Sequence, residues 1–220
     1  MILFDYFKGT LPEFPAGKPL FIFASHFHAD HYAPVIFQLG EKRENVFYIL
    51  SKEIGKKIPE EYRKRYKDRI RLVKAGERFC LNISEESLIV ETFHSTDEGV
   101  AFWLSCEGKE IYHAGDLNNW WWEGEDMAWN RNMAASYKQE MKKLSGRTAD
   151  LAFIPVDPRQ EQWFYLGVAG FMEQADTKWI FPMHFWEDYT IIPKLIEHPS
   201  SEGWRDRIVE IHKEGEEFIR

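Results

Sequence analysis

The stretch SHFHADHY (25–32) places three histidines and an aspartate in six consecutive positions, 26–31, of a chain that has eight histidines in 220 residues. It follows the apolar run LFIFA (20–24), which reads as a buried strand. It precedes Pro34, whose fixed φ suits the first turn of a helix over 33–40. The cluster therefore sits on a strand-to-helix loop, where a rigid scaffold commonly presents functional side chains. In an extended backbone His26, His28 and Asp30 share one face, while His31 can aim elsewhere. One short loop can thus supply two ligands to one ion and two to a neighbouring ion. Imidazole with carboxylate suits Zn, Mn or Fe. The spacing alone predicts metal binding.

The rest of the chain alternates strands and helices. Apolar or β-branched runs predict strands at 20–24, 46–50, 70–73, 87–93, 100–105, 110–114, 150–155, 178–182 and 208–211. Turn residues in HSTDEG and CEGKE make 87–114 an antiparallel meander. Met133, Tyr137, Met141 and Leu144 predict a helix stopped by Gly146, and 162–174 predicts another. The charged segment 52–68 reads as a solvated helix and its approach. Residues 1–220 are expected to form one domain of mixed α and β structure.

Composition narrows the partners. The net charge of -8 argues against non-specific nucleic-acid binding, which needs clustered Lys and Arg. No apolar run reaches the ~20 residues that span a bilayer. The N-terminus lacks a basic segment before its apolar residues and already carries Asp5, so a signal peptide is not expected, and a cytoplasmic location is. Cys80 and Cys106 are too few for a disulfide framework and are expected to be buried or half-buried thiols.

The pattern His-x-His-x-Asp-His resembles the signature of the metallo-β-lactamase superfamily. Further residues follow in that family's order: His94 closes the strand SLIVETF, Asp116 lies in YHAGDLN, and His184 lies in FPMHFW after the strand KWIFP. The resemblance implies a four-layer αββα sandwich, α+β in class, with a dinuclear centre at the strand ends. It implies that His26, His28 and His94 hold the first ion and that Asp30, His31 and His184 hold the second. Asp116 would bridge them, beside a metal-bridging hydroxide that acts as nucleophile. Asp30 could double as a proton acceptor. Two divalent ions are implied, Zn by default, with Mn or Fe as alternatives. MILFDYFKG can form one strand ahead of the histidine loop, with Asp5 resembling the family's acidic residue near the site. The outer strand of the first hairpin is missing, so the sandwich is expected to be shortened at its N-terminal edge. The absence of a large insertion between Asp116 and His184 most resembles the compact hydrolases grouped with the L-ascorbate-6-phosphate lactonase.

Substrate selection is expected from NNWWWEGEDMAWN (118–130) and from PVDPRQ (155–160). Trp120, Trp121 and Trp186 are candidate walls, and Arg159 is a candidate clamp for a carboxylate or phosphate. The expected activity is hydrolysis of a small anionic ester, lactone or amide. The rivals are a phosphodiesterase or nuclease with the same metals, and a metal-binding protein without turnover. A homo-oligomer could form through the open sheet edge or the Trp-rich loop. His113 is expected to be a packed core residue, and His198 and His212 to be surface groups.

Overall fold

The computed structural model describes residues 1–15, 17–83 and 86–219. Two sheets pack face to face. The first holds β1 (Ile2–Phe4), β2 (Leu20–Ala24), β3 (Val46–Ser51) and β4 (Ile70–Val73) in that order, all parallel. The second holds β5 (Arg78–Ile83), β6 (Glu86–His94), β7 (Val100–Cys106), β8 (Lys109–His113), β9 (Thr148–Pro155) and β10 (Asp176–Met183) in the order β10-β9-β8-β7-β6-β5. Its pairs are antiparallel from β5 to β8, which includes the expected meander, and parallel from β8 to β10.

Alternation along each strand sets the layers. On β2, Phe21 and Phe23 meet Val90, Phe102 and Leu104 of the second sheet. Leu20, Ile22 and Ala24 turn the other way, towards α1 (Ile36–Lys42) and Tyr62 of α2 (Glu60–Arg65). Both faces of β2 are covered, which is why its sequence is apolar without interruption. Each fully buried Phe there contributes about 1.5–3 kcal/mol. On β6, Leu88 and Val90 face the first sheet, whereas Phe93 packs with Tyr137 and Met141 of α3 (Met127–Lys142). α4 (Leu166–Met172) and α5 (Ile191–Glu197) cover the same outer face. The layers run helix, sheet, sheet, helix.

Several local expectations change. Residues 208–211 form no strand: Ile208 makes one isolated bridge to Ile180, and exposed Glu210 ends the pairing. β5 escaped notice because only Phe79, Leu81 and Ile83 face the sheet interface, and Arg78, Cys80 and Asn82 are exposed. Cys80 is therefore an exposed thiol, not a buried one. Residues 162–174 are not one helix: a 3-10 segment, Pro158–Trp163, precedes α4, and Glu161 breaks the helical run at φ 52. The α3 helix begins earlier than its apolar stripe, at Asp126, whose side chain accepts from the Ala128 and Trp129 amides. β1 is a three-residue edge strand, and no strand pairs with its outer side among the described residues. No helix of the described residues is long and apolar enough to cross a membrane.

Candidate metal centre

The loops after β2, β6, β8 and β10 meet at one rim of the sandwich. Two groups of side chains converge there. His26, His28, Asp97 and Asp116 form one, and Asp30, His31 and His184 form the other; within each group, one ligating atom per residue lies within 4.8 Å of the rest. Asp116 faces both groups. Its Oδ2 is 3.4 Å from His26 Nε2, and its Oδ1 is 3.2 Å from His31 Nε2 and 3.5 Å from His184 Nε2. His31 Nε2 and Asp116 Oδ1 are both buried without a hydrogen bond. A buried polar atom without a partner is costly. Two such atoms in a cluster of four imidazoles and three carboxylates fit a divalent metal.

Residues behind the groups fix the imidazoles. Buried Asp5, from the turn after β1, accepts from His31 Nδ1 at 2.7 Å, from Ser25 Oγ at 2.7 Å and from the Ser25 amide at 2.7 Å. Buried Asp157, after β9, accepts from His184 Nδ1 at 2.9 Å and from the Arg159 guanidinium. These bonds occupy Nδ1 of each ring and turn Nε2 inward. Burial opposes the charge on His31, yet Asp116, Asp30 and Asp5 raise its pKa to about 12. The His31 imidazolium, its Nε2 3.5 Å from Asp30 Oδ2, holds the Asp30 carboxyl well below the usual range. Burial lowers the His26 pKa to about 4, with the His31 charge adding to it. Burial also raises the pKa of Asp97, and the Asp116 charge adds to that.

The sequence reading placed His94 in the first group, but the structure puts it elsewhere. His94 is exposed and belongs to neither group. It shares the strand parity of Leu88, Val90 and Thr92, which face the first sheet, and Thr92 Oγ1 donates to the Lys74 carbonyl of that sheet's far edge. Asp97, which sequence reasoning missed, occupies the place. The Asp97 amide donates to Ser95 Oγ at 3.1 Å, and Thr96 Oγ1 donates to the Asn118 carbonyl at 2.6 Å, which ties this loop to the one carrying Asp116. Gly99, at φ 72, lets the loop press on the histidine segment; a Cβ there would lie 2.0 Å from the Ser25 carbonyl oxygen.

The groups open into a cleft of about 400 Å³. Among the residues named from sequence, Trp120, Arg159 and Trp186 line it, together with Trp122, Trp129 and Met133. Trp121 does not; it packs on Trp163 at 5.4 Å. Trp120 stacks on Trp122, and Trp120 Nε1 donates to the Asp116 carbonyl at 3.0 Å. The Arg159 guanidinium lies 4.6 Å over the Trp186 ring and 5.8 Å from that of Trp122. His184, Trp186 and Glu187 all have positive φ, at 65, 50 and 64°. Each such residue costs on the order of 1–3 kcal/mol, a strain that concentrates at functional loops.

The other histidines divide. Burial lowers the His113 pKa to about 4, and its ring stacks on Phe4 at 4.4 Å, as a packed core residue would. His212 is exposed. His198 is half-buried and stacked on Tyr165 at 4.0 Å, so it is more than a surface group.

No protein-family model matches the sequence, and no curated protein is similar to it. Solved structures are. CmlA, a diiron β-hydroxylase from Streptomyces venezuelae, shares 12% identity over 88% of this chain with a TM-score of 0.52; the match spans 43% of the hydroxylase, less than half its length. The metallo-β-lactamase fold protein YhfI from Bacillus subtilis shares 10% identity over 75% of this chain and 64% of its own, with a TM-score of 0.40. A diphosphatase of the PhnP family shares 13% identity over 75% of this chain and 60% of its own, with a TM-score of 0.38. At these identities the likeness to CmlA is one of architecture: two packed sheets, helices on both outer faces and loops gathered at one rim.

Proposed function

We propose that this chain is a metal-dependent hydrolase with a dinuclear centre, acting on a small anionic ester, lactone or amide. The observation that carries the reading is Asp116, whose two oxygens address two separate groups of ligating side chains at the floor of one open cleft. His26, His28 and Asp97 would hold one ion, Asp30, His31 and His184 the other, and Asp116 both. Ions held there would acidify coordinated water to a pKa of ~7 and polarise a substrate oxygen. Asp30 opens to the cleft and is placed to accept a proton from the attacking water. Arg159 keeps Nη1 free of hydrogen bonds among the described residues, so one edge of its fork can take an anionic substrate group. The Trp rings exclude water from the substrate's apolar part.

One observation admits iron or manganese beside zinc. With Asp97 in place of His94, the first group offers two histidines with carboxylates, a set that suits non-haem iron or manganese. The likeness of this fold to that of CmlA, a diiron β-hydroxylase, makes an iron oxygenase the second reading. Elemental analysis of protein purified without added metal, followed by turnover assays on lactones, carboxyl esters, amides and phosphodiesters, separates these. About two equivalents of metal with hydrolysis of one class support the proposal. Iron with oxygen consumption and no hydrolysis favours the second reading. Near-zero metal after reloading refutes both and leaves a protein without turnover.

A further inference from the structure

A second concavity, of about 520 Å³, lies beside the loop that joins β6 to β7 and shares no lining residue with the metal cleft. Lys52 and Lys56, from the 3-10 turn after β3, line it with Lys74, which follows β4, and with His94. The chain carries 36 acidic against 28 basic side chains, yet none of these three lysines forms an ion pair among the described residues. The lining holds one carboxylate, Glu53, whose Oε2 accepts from the Ser51 hydroxyl at 2.6 Å and whose Oε1 is buried without a hydrogen bond. Lys52 and Lys74 face one another closely enough that the Lys74 ammonium holds the Lys52 pKa below the usual lysine range. Three ammonium groups against one carboxylate leave the concavity net positive, and an anion between the lysines removes their remaining repulsion. His94 completes the lining, its Nδ1 donating to the Ser95 carbonyl.

We propose that this cavity binds the phosphate group of a phosphorylated small molecule, held chiefly by Lys52 and Lys74 with Lys56 beside them. Lysine is a point-charge phosphate binder, whereas a carboxylate is better matched by the planar fork of arginine, which the lining lacks. The space is larger than a phosphate group needs, so the anion is carried on a larger body. The site does not depend on the metal centre. It does touch the same loop: Thr96 and Asp97 line the cleft, and His94, Gly99 and Val100 line this cavity.

The test is amide NMR on the metal-loaded chain titrated with inorganic phosphate and, separately, with glycerol 2-phosphate. Saturating shifts should appear at residues 52–56, 74–75 and 94–100 with both probes, more tightly with the ester if its body is also read. The double variant Lys52→Ser/Lys74→Ser should weaken that binding by about tenfold or more, as loss of charge-assisted hydrogen bonds predicts. Shifts confined to the metal cleft, equal shifts with sodium chloride at matched ionic strength, or an unchanged affinity in the double variant would each overturn the proposal.

Discussion

Exchanging Asp97 and, separately, His94 for alanine tests the composition of the first metal group. Asp97 is one of four donors there, and 47% of its side chain is exposed, so its removal opens no buried hole. Loss of a group that merely orients a ligand lowers metal affinity about 10–100-fold. A direct anionic donor is worth at least the upper end, about 100-fold, or about 2.7 kcal/mol. Bound metal stabilises by mass action, so at a fixed metal concentration above the Kd the folded state loses the same amount. At about 2–4 °C per kcal/mol for a chain of this length, Asp97→Ala should lower the metal-loaded Tm by about 5–11 °C. The metal-free Tm should move by only about 1 °C, because the carboxylate there is half-exposed and repelled by Asp116. His94→Ala should leave both temperatures within about 1 °C of the parent. Calorimetry with and without Zn or Fe, together with competition against a chromophoric chelator, gives both quantities. A His94→Ala variant that loses metal while Asp97→Ala retains it would refute the geometry described for this loop.

Three further outcomes are expected. Asp5→Ala breaks the buried pair with His31 and should cost about 3–5 kcal/mol in urea unfolding, and a loss under about 1 kcal/mol would contradict the role given to that carboxylate. In the metal-free chain the His31 pKa is raised to about 12, so the stability it contributes is complete below its unfolded pKa of about 6.5 and declines as pH rises beyond it. Metal binding must displace that proton, so uptake at pH 7 should show a calorimetric heat that varies with the buffer's ionisation enthalpy; equal heats in two buffers would sink this assignment. Trp122→Ala should raise KM for a cleft substrate with little change in stability, while Trp121→Ala should weaken packing on Trp163 and leave KM alone; the reverse pattern would mean that the cleft wall is misassigned.

The pieces of this fold that could be read in the sequence are those where local chemistry and strand alternation agree. The apolar LFIFA followed by SHFHADH marked a strand end whose side chains join the two candidate ligand groups, and His184 after KWIFP followed the same logic. The extended geometry assumed for 26–31 does not hold: His31 and Tyr32 amides turn back to the His28 carbonyl. His94 misled because a histidine at a strand end was weighed above its parity, which it shares with the residues facing the first sheet. Counting alternation from Val90 could have raised the doubt; nothing local to STDEG singles out Asp97 over Glu98. The roles of Asp5 and Asp157 depend on contacts 26 and 27 positions away in the chain, which spacing does not encode. The basic cavity likewise assembles lysines from β3 and β4 ends with the tip of β6.

The ligand groups draw on both sheets: the loop after β2 gives four side chains, and the second sheet gives Asp97, Asp116 and His184. During synthesis the first donors emerge near residue 26 and the last at 184 of 220. No chain shorter than 184 residues, and no intermediate holding a single sheet, has the complete set. Metal binding by the full set, and any chemistry it supports, would therefore report on the closed fold, counting only molecules whose two sheets had already packed on each other.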